Sequence, residues 1–135
     1  MATGRIAIIE TATVNFTFPN NVSAEITFAK VGSVVVANIT GSIPSNATQP
    51  GDTIYASQTI PIGFRPNVNN SGNTVGNVTV LCSRTDAGIN DAANGNGLKS
   101  FSTFRFYNNG QLGLGMLSNI ITGVDVQGVA CYIAQ

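Results

Sequence analysis

The side chains in this chain that could do chemistry are few. The acids are Glu10, Glu25, Asp52, Asp86, Asp91 and Asp125, and there is no histidine. Histidine is the commonest general base near neutral pH and the commonest metal ligand. Its absence removes serine- and cysteine-type triads in their usual form and most zinc sites. Glycoside hydrolysis needs two carboxylates across one bond, and only Asp86 and Asp91 share a segment. Both read more simply as polar loop residues. Hard oxygens in 86–96 would suit calcium, but their spacing lacks the EF-hand pattern. Cys82 and Cys131 fall in no CxxC or Cys/His arrangement. They are expected as small buried residues on strands, with a disulfide as the alternative. The expectation is a protein that is not an enzyme and uses no cofactor or metal.

Binding chemistry is better represented. Sugar rings stack their apolar faces on aromatic side chains, while their hydroxyls bond to Asp, Asn and Arg. Tyr55, Tyr107 and Tyr132 offer a ring and a hydroxyl each. The longest polar segment, Ser83 to Gly97, carries Arg84, Asp86, Asn90, Asp91, Asn94 and Asn96. Loops of this length are often functional. The candidate ligand contacts are therefore Arg84, Asp86, Asp91, Asn94, Asn96, Tyr55 and Tyr107. Arg65, between Phe64 and Pro66, reads instead as a structural ion pair or backbone clamp. The 6 cations are scattered singly, which excludes the basic patch that nucleic acid requires. No apolar run is long enough for a membrane-spanning helix, and Met1 to Glu10 has no secretory h-region.

Side chains of these kinds need a scaffold, and the scaffold reads as strands. The chain has 135 residues, 43% hydrophobic and 9% charged, with a net charge of zero. That length fits one domain spanning 1–135, with 1–11 as a linker or an inter-subunit strand. Low net charge and few charges favour association. Helical periodicity is almost missing. Val14, Phe16 and Phe18 alternate with Thr13, Asn15 and Thr17; Ala24, Ile26 and Phe28 alternate with Ser23, Glu25 and Thr27. Period two marks strands with one face on a core. Val34 to Val36 is apolar on both faces, as for a central strand or one covered by another subunit. Further strands are expected over Thr53–Ile60, Thr74–Cys82, Ser100–Tyr107, Gln111–Leu117 and Val124–Ala134. In Ser100–Tyr107, Ser102, Phe104 and Phe106 oppose Thr103, Arg105 and Tyr107. Asn108-Asn109-Gly110 supplies a tight hairpin turn. Turn signals separate eight or nine strands, so the fold class is all-β, an antiparallel β-sandwich or jelly-roll-like domain.

Two motifs carry a family resemblance. Ile60-Pro61-Ile62-Gly63-Phe64-Arg65-Pro66 resembles the Leu-Pro-x-Gly-Phe-Arg-Pro stretch of tail-fibre and baseplate proteins from phages of Gram-positive bacteria. Phe104 to Leu112, with its Asn-Asn-Gly turn, looks like the hairpin that follows it in those modules, and Ile26 to Val35 is similar to their first hairpin. The resemblance covers about Val22 to Ala134. It implies a C-terminal receptor-binding head that forms a homotrimer. Such a head sits in the virion at a tail tip beside other tail proteins, and binds host cell-surface saccharide non-covalently. No helical or β-prism stem of the kind that usually precedes such heads is expected within these 135 residues. The competing reading is a purely structural trimerising β-module of a virion, without a ligand of its own.

Overall fold

A computed structural model describes residues 8–44, 53–69, 75–84, 101–115 and 124–135. These residues build β1 (Ile9–Thr17), β2 (Ser23–Val31), β3 (Val34–Ile43), β4 (Thr53–Tyr55), β5 (Asn77–Arg84), β6 (Phe101–Tyr107), β7 (Leu112–Gly115) and β8 (Val124–Ile133). A short 3-10 turn, Pro19–Asn21, joins β1 to β2. The strands form one antiparallel sheet in the order β1-β2-β3-β8-β5-β6-β7-β4.

Alternation in the sequence becomes an inside and an outside. Phe16, Ile26, Phe28, Val35, Ala37, Ile39, Phe104, Phe106, Val126, Ala130 and Tyr132 are all buried. The sheet curls so that its two halves share this core, giving the expected sandwich-like all-β domain. Phe28 of β2 meets Phe106 of β6 edge-on at 6.3 Å, and Phe18 meets Phe104 at 6.2 Å. Curling also brings the sheet's two margins together. Ser57, just past β4, donates to the Thr17 carbonyl of β1 at 2.9 Å, and the Thr17 amide donates to Gln58 Oε1 at 2.7 Å.

One end of the curled sheet is closed by the proline motif. Phe64 is buried and packs on Phe28 at 5.7 Å. The Tyr132 hydroxyl donates to the Phe64 carbonyl at 2.6 Å, and Lys30 Nζ donates to the Gly63 carbonyl at 2.9 Å. Of the two roles expected of Arg65, structural ion pair or backbone clamp, the structure shows the clamp. Its Nε donates to the Ile60 carbonyl at 3.0 Å. Pro66 bridges Ala134, and the Asn67 amide donates to the Ile133 carbonyl. The segment thus supplies β8 with a neighbour where β5 has moved away.

Several expectations change. The strand expected over Thr53–Ile60 ends at Tyr55, because the following residues turn away to reach Thr17 and Gly110. The fifth strand is shifted to Asn77–Arg84, so Ser83 and Arg84 belong to a strand, pairing with Gln127 and Val126. Of the 1–11 segment expected as a linker or an inter-subunit strand, Ile9 to Thr11 extend β1 against Ala29 to Val31 of the same chain, and residues 1–7 lie outside the described residues. The Val34 to Val36 run lies in a central strand, β3 between β2 and β8, as expected; Val35 is buried, while Val34 and Val36 are 42% and 37% exposed. Cys82 is buried as expected, but Cys131 is exposed, since its parity on β8 points it outward; both are free thiols. Burial pushes the Cys82 thiol up to about 12.

Candidate functional site

The hairpin between β6 and β7 carries the most developed surface chemistry. Tyr107 pairs with Gln111 across a three-residue turn, Gly110 adopts φ +92°, and the Gln111 amide donates to Asn109 Oδ1 at 3.0 Å. A positive φ is cheap for glycine alone among common residues. This turn fixes Tyr107 at the outer face of β6. Tyr55 reaches the same place from β4 across β7, since Tyr55 pairs with Gly113 and Gly113 with Arg105.

Gly113 makes the arrangement possible. A Cβ there would lie 3.3 Å from Tyr107 Cε2, from Tyr55 Cε1 and from Thr53 Cγ2. Without one, both rings lean over bare backbone. Their centroids are 6.2 Å apart with planes at 49°, forming a shallow V. Tyr55 remains 42% exposed. The Tyr107 hydroxyl raises the Tyr55 pKa, first by hydrogen bonding and then by charge; burial adds to this and Arg105 opposes it. Arg105 and Thr79 continue the same cross-strand row. Two ring faces, two phenol hydroxyls, a guanidinium and a threonine hydroxyl thus converge on one outer surface. A ring with an apolar face and a hydroxylated rim can stack and hydrogen-bond there simultaneously.

The seven expected contacts do not converge as a set. Tyr55 and Tyr107 meet. Arg84 lies at the opposite end of the β5–β6 ladder from Tyr107, roughly 20 Å away by strand rise. Asp86, Asp91, Asn94 and Asn96 lie outside the described residues. Tyr132, the third tyrosine, is buried and committed to the Phe64 carbonyl. Sequence reasoning missed Arg105 as a contact, although its i, i+2 relation to Tyr107 places both on one face. Gly113 was missed as well; no signal in the chain ties it to Tyr55. Of the described acids, Glu10 is paired to Lys30 at 3.8 Å, and Glu25 and Asp125 stand on strands separated by β3.

A second concavity, a shallow groove of about 440 Å³, lies where β5 and β8 part. Asn38, Thr40, Leu81, Ser83, Gln127 and Val129 line it. The strand residues flanking 45–52, 85–100 and 116–123 all stand at that end of the sheet, as the pairings Ile43–Val124, Ser83–Phe101 and Thr53–Gly115 require. No protein-family model matches the chain, and no curated protein matches it.

Proposed function

We propose that this domain is a receptor-binding head of a phage tail, holding host cell-surface saccharide non-covalently as a homotrimer alongside other virion tail proteins. The observation that carries the reading is the meeting of Tyr55 and Tyr107 at 6.2 Å on an exposed face beside Arg105. The rings supply stacking surface, and Arg105, Thr79 and the phenols supply hydrogen bonds to hydroxyls. A platform this shallow gives weak affinity per site, which multivalency raises. No general base or paired carboxylate stands beside it among the described residues, so the reading is binding rather than turnover.

Glycan-array and whole-cell labelling with the purified protein test this directly. The intact protein is expected to label a bacterial surface, and Tyr55→Ala or Tyr107→Ala to weaken labelling by about tenfold or more, equivalent to about 1.4 kcal/mol per site. A protein that labels no bacterial surface and no glycan would end the proposal. The apolar outer face of β3 and β8 favours a second reading, a purely structural trimerising module of the virion. In that case the tyrosine variants would change nothing and assembly alone would matter.

A further inference from the structure

The outer surface is creased where β5 leaves β8. The two strands pair only through Ser83 with Gln127 and Arg84 with Val126. At the next position a Cβ on Gly128 would lie 2.5 Å from Cys82 Sγ, so Cys82 packs directly on bare β8 backbone. Beyond it the strands part, and Leu81 and Val129 stand outward at 58% and 59% exposure. Register with β3 sets Thr40 beside Gln127 and Asn38 beside Val129. The groove of about 440 Å³ therefore has two rows of side chains. One is Thr40, Gln127 and Ser83; the other is Asn38, Val129 and Leu81. With strands about 4.8 Å apart and outward residues about 6.8 Å apart, the rows span about 7 Å by about 10 Å, room for one compact unit rather than a chain of them.

We infer that this groove is a second binding site, at the opposite end of the β5–β6 ladder from Tyr107, and that it takes a neutral acetamido sugar, an N-acetylhexosamine unit. Its volume falls within the roughly 300–1,000 Å³ range of small-molecule sites. Asn38, Thr40, Ser83 and Gln127 make no side-chain hydrogen bond to a described residue, so all four are open to a ligand. Each amide donates and accepts, as does each hydroxyl. An apolar ligand would strip water from these four groups without replacing its hydrogen bonds. None of the described residues lining the groove is charged, so an ionic ligand would lose hydration there and gain no counter-charge. A ligand of hydroxyls alone would set polar groups against Leu81 and Val129. An acetamido sugar meets all three conditions. Its amide carbonyl and N–H pair with Asn38 or Gln127, its methyl covers Leu81 and Val129, and its ring hydroxyls reach Thr40 and Ser83. No aromatic side chain lines the groove among the described residues, so the ring stacking offered by Tyr55 and Tyr107 plays no part here. The inference does not rest on the reading of that pair.

Saturation-transfer NMR of the intact protein with millimolar N-acetylglucosamine tests this. Transfer should be strongest to the acetyl methyl protons. In isotope-labelled protein the side-chain amides of Asn38 and Gln127 should shift on titration, while the backbone signals of Tyr55 and Tyr107 stay in place. Glucose, which lacks the acetamido group, should bind at least about tenfold more weakly, and so should N-methylacetamide, which lacks the ring. The Asn38→Ala/Gln127→Ala variant should lose at least about tenfold in affinity, and Thr11→Ala, on the outer face of β1, should lose none. Absence of transfer to the methyl protons would overturn the inference. So would equal binding of glucose or of N-methylacetamide, or shifts centred on Tyr107 with none at Asn38 and Gln127. The shift map and the ligand series use the wild-type protein, so a misfolded double variant leaves the test standing. Whole-cell labelling by Tyr55→Ala and Tyr107→Ala decides the tyrosine pair separately, so either site can fail alone.

Discussion

Arg65 and Gly110 show how closely single residues are fitted. A Cβ on Gly110 would sit 2.6 Å from Arg65 Nε, and the glycine has φ +92°. Gly110→Ala therefore meets both a left-handed backbone and a guanidinium already bonded to Ile60. A loss of about 2 kcal/mol in urea unfolding is expected from the backbone alone, and Arg65→Ala should partly relieve the clash when combined with it. Cys82 gives a pH signature. Burial raises its thiol from 9.0 to about 12, so the unfolded chain releases that proton first. Its contribution is fully present below about pH 9 and is lost as pH rises toward 12. Urea midpoints should fall from pH 9 to 11, and Cys82→Ala should flatten that slope. Tyr132, which burial also raises, acts in the same direction and should leave a residual slope. At this scale the sequence was partly legible. Arg65 as a clamp followed from its place between Phe64 and a proline. The exposure of Cys131 follows from its parity within β8, where it sits with Asp125 and Gln127 opposite the buried Val126, Ala130 and Tyr132; that alternation was legible, and only the general tendency of cysteine to be buried argued against it.

The proline motif behaves as a plug rather than a strand. Phe64 fills the open end of the curled sheet, and the backbone around it is held by Lys30, Tyr132, Arg65 and the last residues of the chain. Phe64→Ala should cost about 3 kcal/mol through lost burial and the cavity left behind. Tyr132→Phe should cost about 1–2 kcal/mol by leaving the buried Phe64 carbonyl short of a donor. Both are read from chemical denaturation. The strands themselves were legible wherever one face is wet, as in β1, β2 and β6, because solvent enforces period two. β4 was not, since a three-residue strand ending beneath a tyrosine carries too few residues to display a period. The candidate site suffered for the same reason. Tyr55 and Tyr107 were legible as types, yet their meeting depends on the short β4–β7 pairing and on the missing side chain of Gly113.

Across the whole molecule, order along the chain differs from order in the sheet. β1 and β4 are the margins in the strand order, tied by Ser57, Gln58 and Thr17. Gln58→Ala should cost on the order of 1 kcal/mol and speed amide exchange in β1 and β4 before other strands, as margins open first. β8 lies mid-sheet, between β3 and β5. Pairing Val34 with Ile133 closes a loop of roughly a hundred residues, so folding in milliseconds to seconds is expected by stopped-flow fluorescence. A microsecond phase carrying the full amplitude would contradict this. The placement of β8 has a further consequence during synthesis. β1, β2 and β3 leave the ribosome early as a meander, with Val35, Ala37 and Ile39 still lacking their partner strand. At about 5–20 residues per second, β3 waits for β8 on the order of 5–20 s. For that interval the nascent chain presents an unpaired apolar strand to everything around it, so chaperone capture in the cell should fall on the first forty-odd residues, and a chain that stops short of β8 should be cleared rather than stored.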